Sequence, residues 1–227
     1  MKLKLTICII LLSTAGFAQN KAMVKFSPFS AIDDASFPTI QAGIEFNIHK
    51  RISWYNELGI KYRKGYYEKA DTISLASKGF KTKTEFRYYW RNKTVRDFSE
   101  SLEGHYFAFN IFYARDFHNT EIGYYYLRDS SMSKTDDFGV KKTVWGLNLL
   151  AGNQKAISKK ILLDFYAGLG IRFRNVSATK KEFDSERDYL LTPIDINING
   201  IRDRIDSKSG NTVAPTFTLG IRFCYKL

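Results

Sequence analysis

The sequence predicts an all-β fold: an eight-stranded, antiparallel, up-and-down transmembrane β-barrel. Three observations carry the prediction. Apolar and polar residues alternate with period two in eight stretches, each of about ten residues, the length a tilted strand needs to cross a bilayer. The connections between these stretches alternate between long and short. The chain also opens on an export signal.

The signal occupies residues 1–18. Lys2 and Lys4 form its basic start and Leu5 to Leu12 its apolar stretch. Gly16-Phe17-Ala18 is the small-residue end that a signal peptidase reads, so cleavage is expected between Ala18 and Gln19. The apolar stretch falls well short of the roughly 20 residues of a spanning helix. Cys8 lies inside it behind Ile7, where a lipid-attachment signal needs a small residue. Cleavage leaves Cys224 as the remaining cysteine, so no intramolecular disulfide is expected, and Cys224 reads as a buried filler. Residues 19–227 are expected to form one barrel domain.

The first strand is expected from Lys21 to Phe29, with Val24 and Phe26 opposite Lys25 and Ser27, and Pro28 ends it. Thr39 to Ile48 alternates more cleanly: Ile40, Ala42, Ile44, Phe46 and Ile48 oppose Gln41, Gly43, Glu45 and Asn47. After the turn His49-Lys50-Arg51, the strand Ile52 to Arg63 sets Trp54, Leu58, Ile60 and Tyr62 against Tyr55, Glu57, Gly59 and Lys61, with Asn56 interrupting the apolar face. Lys78 to Trp90 sets Phe80, Phe86, Tyr88 and Trp90 against Lys81, Lys83, Glu85 and Arg87. Gly104 to Arg115 carries Phe107, Phe109, Ile111 and Tyr113 opposite Tyr106, Ala108 and Asn110. Glu121 to Leu127 is expected to extend that strand rather than start another. Val140 to Gly152 presents Trp145, Leu147, Leu149 and Ala151. Ile161 to Arg174 sets Leu163, Phe165, Leu169, Ile171 and Phe173 against Asp164, Tyr166, Gly168, Gly170 and Arg172. Pro215 to Leu227 closes the series against the first strand. Its Phe217, Leu219, Ile221, Phe223 and Tyr225 share one face, and Thr216, Thr218, Gly220, Arg222 and Cys224 the other.

An exported N-terminus on the periplasmic side puts Ser30 to Pro38, Lys64 to Ser77, Asp116 to Gly139 and Asn175 to Ala214 outside. The inner connections are then His49 to Arg51, Arg91 to Glu103 and Asn153 to Lys160. Trp54, Trp90 and Tyr225 fall at the periplasmic rim and Trp145 at the outer rim, as an aromatic girdle requires. Aromatic residues make up 15% of the chain. The mean hydropathy of −0.30 hides the apolar face, because half of every such strand is polar.

Alternation alone does not say which face looks outward. A charge facing lipid costs roughly 2–4 kcal/mol at mid-bilayer, so in a membrane barrel the polar face turns inward. The expected lumen charge network is Glu45, Glu57, Lys61, Lys83, Glu85, Arg87, Asp164, Arg172 and Arg222. Its acids must pair, because unpaired buried charge is costly, and bases are expected to outnumber acids on that face. The inward glycines Gly43, Gly59, Gly168, Gly170 and Gly220 read as room for curvature or for a neighbouring side chain. The formal charge of +12 falls to +10 without Lys2 and Lys4. The excess lies in strands and inner turns, so no basic surface for nucleic acid is expected.

Little in the sequence points to chemistry. It has no phosphate-binding glycine loop, metal-ligand cluster or Cys-x-x-Cys motif, so no catalytic, cofactor-binding or metal residues are expected, and no cofactor. Of the three histidines, His49 and His105 fall low. His118 falls near the outer rim, with Asp116, Thr120 and Glu121 around it and Ser130, Ser131 and Ser133 beyond. A Ser-His-acid centre there is the rival reading, a lipid-modifying outer-membrane enzyme acting on lipid A or phospholipid. A narrow channel is a further alternative.

The segments V-K-F-S-P-F-S, G-I-E-F-N-I-H-K-R-I-S-W-Y-N-E-L-G-I-K-Y-R, F-R-Y-Y-W, F-Y-A-G-L-G-I-R-F and the final L-G-I-R-F resemble a family of small outer-membrane barrels of unknown function from Gram-negative bacteria. That family is broadly similar to OmpA- and OmpX-type, porin-like barrels. The resemblance covers nearly all of the chain after the signal, and its motifs are of strand and turn. It implies location in the cell outer membrane, contact with outer-membrane lipid and lipopolysaccharide, and dependence on the barrel insertion machinery. It also implies a structural or binding role exercised through the extracellular loops, toward an unidentified extracellular ligand. The family brings no catalytic residues. The chain departs from the pattern at its end, where Leu227 stands in place of the usual aromatic residue, with Tyr225 two residues inside.

Overall fold

The computed structural model describes residues 22–28, 39–61, 75–91, 102–129, 131–184, 186–190 and 210–227. The signal and the connections 29–38, 62–74 and 92–101 lie outside them. The described residues form nine strands: β1 (Ala22–Phe26), β2 (Thr39–His49), β3 (Ile52–Lys61), β4 (Leu75–Arg91), β5 (Gly104–Tyr125), β6 (Ser133–Ala156), β7 (Ile161–Thr179), β8 (Tyr189–Leu190) and β9 (Gly210–Lys226). All pairings are antiparallel. Eight of the strands form a closed ring in the order β1-β2-β3-β4-β5-β6-β7-β9, with β9 returning to β1. The ninth, β8, lies outside the ring against Tyr124 and Tyr125 of β5.

The register shows how the ring closes. From Cys224 on β9, the paired residues run Lys25, Gly43, Glu57, Lys83, Phe112, Gly146 and Arg172, and lead back to β9 at Ala214. The path returns ten residues from its start (224 − 214 = 10). A stagger of this size goes with strands tilted by about 40° to the ring axis.

The alternation seen in the sequence sorts outside from inside. Leu149, Leu169 and Leu219 point away from the ring and are 71%, 67% and 73% exposed. Lys25, Glu45, Glu85, Asp164 and Arg222 point inward and are 0% exposed. As expected, the closing strand pairs with β1, Arg222 and Cys224 face inward, and Phe217, Leu219 and Phe223 face outward. At one end of the interior, Met23, Leu102, Leu150, Leu162 and Cys224 pack with Tyr89, Tyr106 and Tyr166. At the other end lies a second cluster of Tyr124, Phe138, Val140, Val176 and Phe183.

The strands run longer than the sequence pattern suggests. β6 starts at Ser133 rather than Val140, β7 continues past Arg174 to Thr179, and β9 starts at Gly210 rather than Pro215. Asp116 to Gly139 is therefore no open loop. It is a paired hairpin that runs to Tyr125 opposite Ser133 and turns through a 3-10 turn at Tyr126–Arg128. Glu121 to Tyr125 does extend β5, as expected. Within Asn175 to Ala214, the described residues include the end of β7, β8 and the start of β9. Trp145 consequently sits within β6 rather than at its start. The reason is that the outward residues turn polar beyond Trp145 (Thr143, Lys141, Asp137), so alternation fades while backbone pairing continues.

Candidate functional site

The interior holds a belt of ionised groups whose strands lie far apart in sequence. Lys25 Nζ lies 2.5 Å from Glu45 and 2.9 Å from Asp164, and also donates to Gln154. Arg87 donates to Glu85 at 2.5 Å and to Asp164 at 2.9 Å, and lies 3.3 Å from Glu45. Arg222 reaches Glu85 at 2.6 Å, Glu57 at 3.1 Å and Asp164 at 3.5 Å. Lys83 pairs with Glu57 at 2.9 Å and donates to Gln41. Hydroxyl donors complete the carboxylates: Tyr89 and Ser53 on Glu45, Tyr55 and Ser27 on Glu57, and Tyr106 on Asp164. Four acids thus face four bases. The expected surplus of bases is not found in the belt. This balance is what a dry interior requires, because burying an ion is tolerable only when it is paired and its remaining lone pairs are met.

Tyrosine rings cover the two arginines. The Arg222 guanidinium lies 3.9 Å from the Tyr166 ring centre and 4.7 Å from that of Tyr55. Arg87 lies 4.4 Å from Tyr106 and 4.8 Å from Tyr55. Each of these tyrosines leans over a glycine on a neighbouring strand. A Cβ at Gly220 would lie 2.3 Å from the Tyr166 hydroxyl, one at Gly152 would lie 2.3 Å from the Tyr106 ring, and one at Gly43 would lie 2.8 Å from the Tyr55 ring. Gly220→Ala is therefore expected to push Tyr166 off Arg222 and cost about 1–3 kcal/mol in a urea titration, the range for overpacking. In a Tyr166→Ala background the same change should cost much less; an equal cost would show that the clash lies elsewhere.

Of the residues singled out from sequence, Glu45, Glu57, Lys83, Glu85, Arg87, Asp164 and Arg222 are brought together in the belt. Lys61 is not: it pairs with Asp116 at 2.7 Å further up the interior. Arg172 faces inward but sits above the belt, partly buried. Lys25, which the sequence pattern places on the polar face of the first strand, also belongs to the belt, although the expected network did not name it. The part played by Tyr55, Tyr106, Tyr166 and Gln154 had no local signal, since it depends on what stands across the ring.

The girdle candidates all point outward. Trp54 stacks on Phe86 and donates to Thr84, Trp90 stacks on Phe107, and Trp145 stacks on Phe173 at 4.2 Å. The Lys160 ammonium lies 5.5 Å from the Tyr225 ring. His118 Nδ1 lies 3.3 Å from Asp116. His118 is in register with Val140, whereas Ser133 is in register with Tyr125 at the far end of the hairpin, and Ser131 is bonded to Asp129 in the turn. Neither serine is brought to the histidine; Ser130 lies outside the described residues.

At the hairpin, two buried carboxylates fasten the segment after β7. Asp136 accepts the backbone N–H groups of Glu182 and Phe183. Asp188 accepts those of Leu127 and Asp184, and pairs with Arg187 at 2.9 Å. Leu127 has a left-handed backbone (φ 52°), a conformation unfavourable for leucine that the Asp188 bond helps to hold. The Arg187 hydrogen bond, aided by the two backbone donors, holds the Asp188 carboxyl well below the usual range. A depressed folded value means that the contribution is complete above the ordinary aspartate pKa, about 4, and is lost as the pH falls below it. Lys181 to Leu190 is thus expected to resist proteolysis from pH 7 down to about 4, whereas Asp188→Asn should expose it at pH 7. Equal cleavage of both proteins at pH 7 would contradict this role.

The ring and its belt define an all-β protein: eight antiparallel strands closed around an ionic interior, with apolar residues outward. The chain matches the family described as "Protein of unknown function (DUF3575)" over residues 5–193, and belongs to it. No curated protein and no solved structure matches the chain.

Proposed function

We propose that the protein is an eight-stranded transmembrane β-barrel of the outer membrane, with a structural or binding role exercised by the parts that stand beyond the bilayer. The inversion of its two faces carries this reading. Every outward residue of β7 from Ile161 to Phe173 is apolar, and so is every one of β9 from Val213 to Tyr225. At ~3.3 Å per residue and a tilt of ~40°, each stretch rises about 30 Å, close to the apolar height of such barrels. A ring carrying this much apolar surface on one side, and fully buried charge on the other, is stable when lipid covers its outside.

On this reading its partners are outer-membrane lipid, lipopolysaccharide and the barrel insertion machinery. The extended β5–β6 hairpin, with Lys181 to Leu190 fastened to it, is the surface offered to an extracellular ligand. The test is heat-modifiable migration on a gel combined with membrane fractionation. A folded band that shifts on boiling and fractionates with outer membrane supports the proposal; a protein found in the soluble fraction sinks it.

Two rival activities have direct tests. The His118–Asp116 contact favours a lipid-modifying enzyme, and lipid analysis of His118→Ala and of a full deletion decides: unchanged lipid in both removes it. Against a channel stands the belt, in which side chains from β1, β4, β7 and β9 bond directly across the interior. Silence in a planar bilayer is expected.

A further inference from the structure

We propose that three bases on the outer surface of the ring, gathered around Phe117, bind the phosphate groups of a glycolipid in the outer leaflet. The inference rests on the outer-membrane reading above and adds to it a defined lipid site. Phe117 points outward from β5 and is 40% exposed. It is in register with Lys78 on β4 and with Lys141 on β6. Arg115 shares its face of β5 and lays its guanidinium 4.6 Å from the Phe117 ring centre. Neighbouring strands stand about 4.8 Å apart, so the backbones of Lys78 and Lys141 flank Phe117 at a spacing of about 10 Å. The three bases have the parity of the outward residues of their strands: Lys78 that of Phe80, Arg115 that of Phe117 and Lys141 that of Trp145. Lys78 is exposed, and Arg115 and Lys141 are partly buried.

The cluster is not neutralised by the protein. Among the described residues, none of the three bases has a carboxylate partner. Asp116, beside Arg115 in the chain, faces inward to Lys61 and His118. The next described outward carboxylate on β6 is Asp137, four residues beyond Lys141 and about 13 Å along the strand. These outer bases differ in this from the belt, where every base meets an acid. Three like charges set this close repel one another, most of all beside lipid, where the dielectric is low. An anion placed among them removes the repulsion.

The position selects which anion. Toward the middle of the ring the outward residues turn apolar at once: Phe80 follows Lys78 on β4, Tyr113 stands below Arg115 on β5, and Trp145 stands below Thr143 on β6 and stacks on Phe173. The bases therefore lie at the edge of the apolar surface, where a lipid carries its phosphate directly above its acyl chains. Thr143 is in register with Arg115, and Ser177 with Lys141, so hydroxyl groups adjoin the bases on the β7 side and suit a sugar. A guanidinium takes a phosphate through two parallel bonds and a lysine takes it as a point charge. Bases spread over about 10 Å suit a headgroup with more than one phosphate.

The test is native mass spectrometry of the full chain, folded in an uncharged detergent and offered diphosphoryl lipid A, the same lipid stripped of phosphate, and phosphatidylglycerol in separate titrations. Lipid A with its phosphates is expected to bind at least tenfold more tightly than either of the others. Lys78→Gln, Arg115→Gln and Lys141→Gln should each weaken it about fivefold, the worth of one basic residue at a membrane surface. The triple variant should lose the preference for phosphate while still reaching the folded membrane form. Lys155→Gln, an exposed outward lysine at the opposite end of β6, should leave binding unchanged. Equal binding of the stripped lipid or of phosphatidylglycerol, an unaltered triple variant, or an equal loss in Lys155→Gln would each overturn the proposal. Protein that fractionates as soluble sinks the membrane reading itself. Protein that reaches the outer membrane but does not prefer phosphorylated lipid A sinks this site alone.

Discussion

Arg222→Met is expected to destabilise the ring by about 3–5 kcal/mol, the cost of breaking a buried ion pair from one side. Arg222 is fully buried, holds Glu85 and Glu57 at 2.6 and 3.1 Å, and lies between the rings of Tyr166 and Tyr55. Methionine fills part of the volume but supplies no donor. Four carboxylates then share three bases, and Glu85 Oε1 loses its cation in a place water does not reach. The measurement is a urea titration that follows the folded fraction. Glu85→Gln added to Arg222→Met returns the belt to three acids and three bases. The double variant is therefore expected to be more stable than the single one, even though it carries a second substitution. If the double variant is the less stable, volume rather than charge balance governs the belt.

That balance explains why the belt was only partly legible in the sequence. Parity along a strand says that Glu45, Arg87 and Asp164 share a face, and the structure agrees. It does not say at what height each side chain stands on the ring. Arg172 and Arg222 have the same parity, yet the ten-residue stagger puts one above the belt and the other within it. Lys25 and Asp164 meet at 2.9 Å although 139 residues separate them, and their contact follows from ring closure through β9 rather than from any local pattern.

The hairpin was hidden for a different reason. Its inward side carries Phe138 and Val140, but its outward side carries Asp137, Gly139 and Lys141, and polar residues stand at alternate and adjacent places alike. A strand with no apolar outward face loses the period-two signal without losing its backbone pairing. Glycine was more readable. Gly43, Gly59, Gly168, Gly170 and Gly220 are each met by a neighbouring side chain where a Cβ would stand, which is the room their inward positions suggested.

Leu219→Arg and Thr218→Arg are expected to part company by about 2–4 kcal/mol, with Leu219→Arg the worse. The two residues are adjacent on β9, in register with Ala167 and Gly168, so strand position, backbone pairing and the added side chain are nearly the same for both. What differs is direction. Leu219 points outward and is 73% exposed, midway along the apolar run from Val213 to Tyr225. On the outer-membrane reading proposed above, an arginine there would sit near mid-bilayer, too far from either surface to reach water in full. Thr218 points inward across from Gly168 and is half-buried, so an arginine there stays off the outer face. The readout is the fraction of protein that reaches the folded, heat-modifiable form in the membrane. If the ring's outside met water instead of lipid, Leu219→Arg would put a charge on a wetted surface and change stability by less than about 0.5 kcal/mol. Thr218→Arg, crowding the interior, would then be the more harmful of the two. The two environments thus predict opposite orders, and the ranking decides between them whatever the absolute losses are.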